Sequence, residues 1–120
     1  MRGRVGRITR RADFVRIAGR NRRWVTPGLT LQTDRAPTDA VRVGFTVTRR
    51  LGKAVARNRI KRRLRAVAEH VLEHHALPGQ DFVVIGRSDA LTRPFAALCE
   101  DMEKALKGLH LWTDTLEAVR

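Results

Sequence analysis

The sequence predicts an α+β fold, a single small domain in which one mixed β-sheet is packed with helices. Three observations predict it. Apolar residues recur at helical spacing in three separate segments, while others alternate with period two or run continuously apolar. Turn residues separate these segments, with no internal repeat and no low-complexity linker between them. At 120 residues and 42% hydrophobic content, the chain is long enough to close one real core.

The elements follow in the order helix, strands, helix, strand, helix. About Arg11 to Ala18 reads as a short helix with Phe14, Ile17 and Ala18 inward and Gly19 ending it. After the basic connector Arg20 to Arg23, residues Trp24 to Thr33 read as one strand bent at Pro27-Gly28. Leu29, Leu31 and Thr33 alternate there with Thr30 and Gln32. Asp34 to Asp39 is a turn. Val41 to Thr48 alternates clearly: Val43, Phe45 and Val47 share a core face, and Arg42, Gly44, Thr46 and Thr48 share a polar one. That polar face is open enough to bind a ligand.

A helix is predicted over about Ala54 to His74, where Ile60, Leu64, Val67 and Val71 recur at steps of four, three and four. Pro78-Gly79 ends it as a turn. The run Phe82 to Ile85 within Asp81 to Arg87 reads as a buried strand. A last helix starts near Thr92 or Arg93, with Pro94 in its first turn and Gly108 near its end. Phe95, Leu98, Met102, Leu106 and Leu109 form its apolar stripe.

Charge narrows the function. Net charge is +13, and residues 1–65 carry 20 Lys and Arg against 3 Asp and Glu, whereas residues 66–120 carry 5 against 9. The whole excess lies in the first half. It is densest at RNRIKRRLR, Arg57 to Arg65, where six of nine residues are basic and Ile60 and Leu64 keep the apolar stripe. A disordered basic tail would show no such stripe. The pattern is a helix docked on a folded body with its cations outward, a surface that repels itself unless a polyanion neutralises it. Nucleic acid is the expected polyanion. No apolar run approaches the roughly 18 residues of a membrane span, and the arginine-rich start lacks the apolar stretch of a secretory signal. Cys99 is the only cysteine, so no internal disulfide can form, and a cytoplasmic location is expected.

Protein catalysis finds little support. His70-Val71-Leu72-Glu73-His74 matches an inverted zincin pattern. However, it continues the basic helix into its final turns, where the dipole favours histidine, and no third ligand is evident. Ser88 lacks a nucleophile-elbow context. Gly52-Lys53 is not followed by Ser or Thr, so no phosphate-binding P-loop is present. Neither a catalytic residue nor a protein-bound metal is expected.

The segment VRVGFTVTRRLGKAVARNRIKRRLR, Val41 to Arg65, resembles the protein subunit of bacterial ribonuclease P. The strand RVGFTVTRR, the GKAV turn and the RNRIKRRLR helix stand in that family's order. So do Ala12-Asp13-Phe14 before them and QDFVVIGR, Gln80 to Arg87, after them. The likeness covers about residues 8–110, leaving 1–7 as a basic N-terminal tail and 111–120 as a C-terminal tail. It implies the fold of a domain of ribosomal protein S5 and of elongation factor G, with a left-handed βαβ crossover holding the basic helix. It also implies an endonuclease in which RNA, with Mg²⁺, removes the 5′ leader of precursor tRNA. The protein's role there is to bind catalytic RNA and leader, one protein per RNA, with no membrane partner and no cofactor of its own. The implied RNA-binding residues are Lys53, Arg57, Asn58, Arg59, Lys61, Arg62 and Arg65. Phe14, Thr46 and Thr48 are the implied leader-cleft residues. By position alone Phe14 is a core residue, since apolar side chains on short helices pack inward.

Two departures matter. Ala18 stands where many members have a second aromatic and Leu31 where several have tyrosine, so stacking on leader bases should be thinner here. The leading alternative is a ribosomal or other structural RNA-binding protein without a part in processing. A zinc hydrolase built on His70, Glu73 and His74 is the weakest.

Overall fold

The computed structural model describes residues 5–114. The strands are β1 (Val5–Arg7), β2 (Arg23–Val25), β3 (Leu29–Arg35), β4 (Val41–Thr46) and β5 (Gln80–Gly86). The helices are α1 (Arg11–Arg20), α2 (Ala54–His75) and α3 (Phe95–Gly108). The five strands form one mixed sheet in the order β1-β4-β5-β3-β2. β1, β4 and β5 are parallel, and β3 and β2 close the far side antiparallel. α2 is the crossover between the adjacent parallel strands β4 and β5.

The sheet is covered on both faces. α2 and α3 pack on one, where Leu29, Leu31, Val41, Val43, Phe82 and Val84 meet Ile60, Leu64, Val67, Leu98, Met102 and Leu106. α1 packs on the other, where Ile17 meets Val83 and Ile8, flanked by Phe14 and Ile85. Two-sided cover explains the continuous apolar run of β5, since consecutive side chains go to opposite layers and both layers are dry. The predicted stripe of α2 is fully realised. Ile60, Leu64 and Val67 are wholly buried, each contributing about 1.5–3 kcal/mol by leaving water.

Several expectations are corrected. The bent strand of residues 24–33 is a hairpin: Thr26 and Leu29 bond across Pro27-Gly28, so β2 and β3 are separate strands. Gly28 is required there, because a Cβ would lie 2.4 Å from Leu98 Cδ2, and its N–H donates to buried Asp101 at 3.1 Å. α1 runs past Gly19 to Arg20 and is closed by Asn21 in the left-handed region (φ 55°). Ala18 is exposed rather than inward, because α1 turns only Ile17 fully onto the sheet. The last helix begins at Phe95, after Pro94, because residues Ser88–Leu91 form a 3-10 turn of their own. Phe95 itself is exposed, with its ring edge-on to His70.

The proposed tails are partly structured. Val5–Arg7 is no tail but an edge strand, with Val5 opposite Val41 and Arg7 opposite Val43. Past α3, Trp112 pairs with Ala76 and stacks on His75 at 3.9 Å, so residues 111–113 are pinned to the end of α2. Residues 1–4 and 115–120 of those two segments lie outside the described residues.

α1 is tied to the sheet by an ion network. Asp81 on β5 is fully buried and accepts from Arg42 Nε at 2.7 Å and from Arg16 at 2.5 Å. Arg16 also reaches Asp34 at 2.6 Å and Asp13 at 3.2 Å. Hydrogen bonding to Asp81 raises the pKa of both arginines above the usual arginine value. No helix among the described residues is long and apolar enough to cross a membrane.

Candidate nucleic-acid interface

Burying one stripe of α2 leaves the rest of its circumference to solvent, and that surface is cationic. Asn58, Arg59, Arg62 and Arg65 are exposed, as is Lys53 at the N-cap. Arg57 and Lys61 are half-buried, and Arg57 Nε donates to the Gly52 carbonyl at 3.2 Å. No ion pair among the described residues includes a cation of α2, whereas Arg16, Arg42 and Arg93 all have carboxylates. The first turn of α2 holds no acid and its N-cap makes no side-chain bond. Placing this much positive charge in the half of the helix where the macrodipole is positive is unfavourable. The packing of Ile60 and Leu64 holds it there.

One basic residue of the run faces inward. Arg63 donates to the carbonyls of Ala90 and Arg93 and so fastens α2 to the turn before α3.

Beside α2 lies an open groove of about 460 Å³ lined by Thr9, Arg11, Phe14, Phe45, Thr46, Val47 and Lys61. Phe14 is half-buried, and its ring passes so close over β4 that a Cβ at Gly44 would lie 2.6 Å from Cζ. Glycine at 44 therefore makes room for the aromatic wall. Phe14 and Thr46 come together here, with Lys61 from α2. Thr48 is exposed at the N-cap of the 3-10 turn Arg49–Leu51 and does not line the groove, because the chain turns away after Thr46. Sequence reasoning missed Thr9, Arg11, Phe45 and Val47 as groove residues. Phe45 alternates as a core residue, yet its ring is only half-buried.

The tryptophans do not replace missing aromatics. Trp24 lies against Gly108 of α3, and Trp112 stacks on His75. Leu31 is fully buried in the α2/α3 layer, so a tyrosine at that position would not reach this groove. His70 abuts Phe95 and His74 abuts His75, and no group of three or more His, Cys, Asp or Glu is placed to hold a metal among the described residues. Cys99 is half-buried, and burial pushes its thiol pKa up.

This sequence and fold have relatives. The family model Ribonuclease P matches residues 3–110. The chain belongs to the ribonuclease P protein family. The ribonuclease P protein component of Paramagnetospirillum magneticum is 46% identical over 112 residues, covering 89% of this chain and 84% of the relative. That of Gluconacetobacter diazotrophicus is 44% identical over 108 residues, covering 89% and 93%. Among solved structures, the Staphylococcus aureus RNase P protein superposes with a TM-score of 0.76 at 30% identity, covering 89% of this chain and 97% of that one. The Thermotoga maritima RNase P protein gives 0.71 at 25% identity, covering 82% and 92%. As a ribonuclease P protein component, the chain belongs to tRNA processing within a ribonucleoprotein.

Proposed function

We propose that the exposed side of α2 binds the catalytic RNA of ribonuclease P and that the groove beside it holds the unpaired 5′ leader of precursor tRNA. One observation carries this reading: α2 presents exposed cations without ion-pair partners among the described residues, next to a groove with a half-exposed aromatic wall. Arg59, Arg62 and Arg65 offer planar forks to phosphates, and Lys53 and Lys61 add point charges. Asn58, with both donor and acceptor, suits a ribose or braces a neighbouring arginine. Phe14 offers a face for a base, Thr46 a hydroxyl, and Arg11 and Lys61 charge for the leader backbone.

In this reading one protein serves one catalytic RNA in the cytoplasm. Mg²⁺ held by RNA phosphates supplies the hydrolytic chemistry. The chain's own residues screen the repulsion between two RNAs and position the leader.

Arg59→Ala and Arg62→Ala are each expected to weaken binding to the catalytic RNA and to flatten its salt dependence by about one log–log unit per lost phosphate contact. Titrations at several salt concentrations check this. Unchanged affinity and slope in both variants would remove α2 from the interface.

Phe14→Ala is expected to act twice. Losing a stacked base costs about 1–3 kcal/mol of affinity for precursor tRNA carrying a leader, with leaderless tRNA spared. Because the ring is half-buried against Gly44 and Ile8, stability should also fall by about 2 kcal/mol, roughly half the cost for a full core phenylalanine. Equal losses with and without a leader would return Phe14 to a purely structural role.

A further inference from the structure

A second, smaller cavity of about 200 Å³ shares Phe45 with the groove. Its walls are Arg7 from β1, Phe45 from β4, and Arg62, Arg65, Ala66 and Glu69 from α2. Arg7 is held there by two independent devices. Pairing of β1 with β4 sets its backbone opposite Val43. Its guanidinium lies over the Phe45 ring, 5.7 Å from the centroid. Stacking uses the flat face of a guanidinium and leaves its N–H edge available to a ligand.

Arg62 and Arg65, three residues apart, project from the same side of α2. The cavity thus gathers three guanidiniums against one carboxylate, Glu69. No described carboxylate forms an ion pair with Arg7, Arg62 or Arg65. Like charges drawn into so small a space repel, and the group that relieves them must bring negative charge and several acceptor oxygens at once. A phosphodiester does both.

We propose that this cavity is a phosphate-binding site for the catalytic RNA, in which Arg7 acts as a third guanidinium beside Arg62 and Arg65. The proposal rests on the reading that α2 faces that RNA. It extends the interface from one helix onto the edge strand of the sheet, which fixes how the helix is oriented on its partner.

The test measures binding of the full-length protein to the catalytic RNA across a salt series, for Arg7→Ala, Arg7→Lys and, as a reference outside the cavity, Arg59→Ala. Arg7→Ala is expected to weaken binding about tenfold and to remove about one unit of salt slope. Arg7→Lys should restore the slope but not the full affinity, because an ammonium keeps the charge and loses the fork. Inorganic phosphate should raise the melting temperature of the unmodified protein more than that of Arg7→Ala.

If Arg59→Ala weakens binding while Arg7→Ala changes neither affinity nor slope, the cavity proposal is overturned and the α2 reading stands. If neither variant weakens binding, both fall. A loss confined to leader-bearing precursor tRNA would assign the cavity to the leader path and also overturn the proposal. Should Arg7→Ala lower the melting temperature in the absence of ligand, Arg7→Lys decides, and full affinity in that variant refutes the role of the fork.

Discussion

Asp81→Ala is expected to lower the melting temperature by about 12 °C, at about 4 °C per kcal/mol for a chain of this size. The carboxylate is fully buried, and both its oxygens accept from arginines, Arg42 at 2.7 and 2.6 Å and Arg16 at 2.5 Å. Removing it takes away the bidentate partner of Arg42, which is left with Asp13 at 3.7 Å, while Arg16 keeps Asp34 and Asp13. Breaking a buried pair costs about 3–5 kcal/mol, and the lower figure applies because both arginines keep partial contact with water and other carboxylates nearby. Asp81→Asn should lose less, since the amide keeps the shape and one acceptor. A variant as stable as the parent in thermal and urea unfolding would show that the Asp81 pairs do not help to hold α1.

The same network sets an acid limit. Burial opposes the charged form of Asp34, but hydrogen bonds from Arg16 and the Arg35 backbone, with the fields of Arg16 and Arg20, outweigh it and hold its pKa below the usual range. A depressed folded pKa contributes stability above the unfolded value of about 3.9 and loses it as pH falls through the lower folded value. Stability measured from pH 5 downward should therefore fall less steeply in Asp34→Asn than in the parent.

Much of this architecture is legible in the sequence, and the failures have physical causes. The stripe Ile60, Leu64, Val67 and Val71 and the apolar run Phe82 to Ile85 are readable because each obeys one period over its full length. β1 is not readable: three residues, two of them Gly6 and Arg7, form a strand only because the edge of β4 is there to pair with. Missing β1 meant missing Arg7. Ala18 and Phe95 fit helical stripes yet are exposed, since a stripe predicts a direction and not the extent of the layer it meets. In the candidate interface, the exposure of Arg59, Arg62 and Arg65 follows from the buried face of α2 alone. The distinction between Arg63, which braces a turn, and its basic neighbours required the fold, because the carbonyls it bonds belong to residues about thirty positions away. Ion pairing was likewise hidden. Asp13, Asp34 and Asp81 neutralise Arg16 and Arg42 across the sheet, whereas the cations of α2 form no ion pair among the described residues.

In the proposed function this chain binds and positions RNA while RNA performs the cleavage. The most direct test combines purified protein, the catalytic RNA and precursor tRNA at Mg²⁺ too low for the RNA to act alone. The proposed function gives the chain screening and positioning of RNA, carried by the exposed cations of α2 and the groove beside it. The 5′ leader is expected to be released only when protein and RNA are present together, with no cleavage by protein alone. Metal-dependent cleavage by RNA-free protein, abolished by His70→Ala, would contradict it.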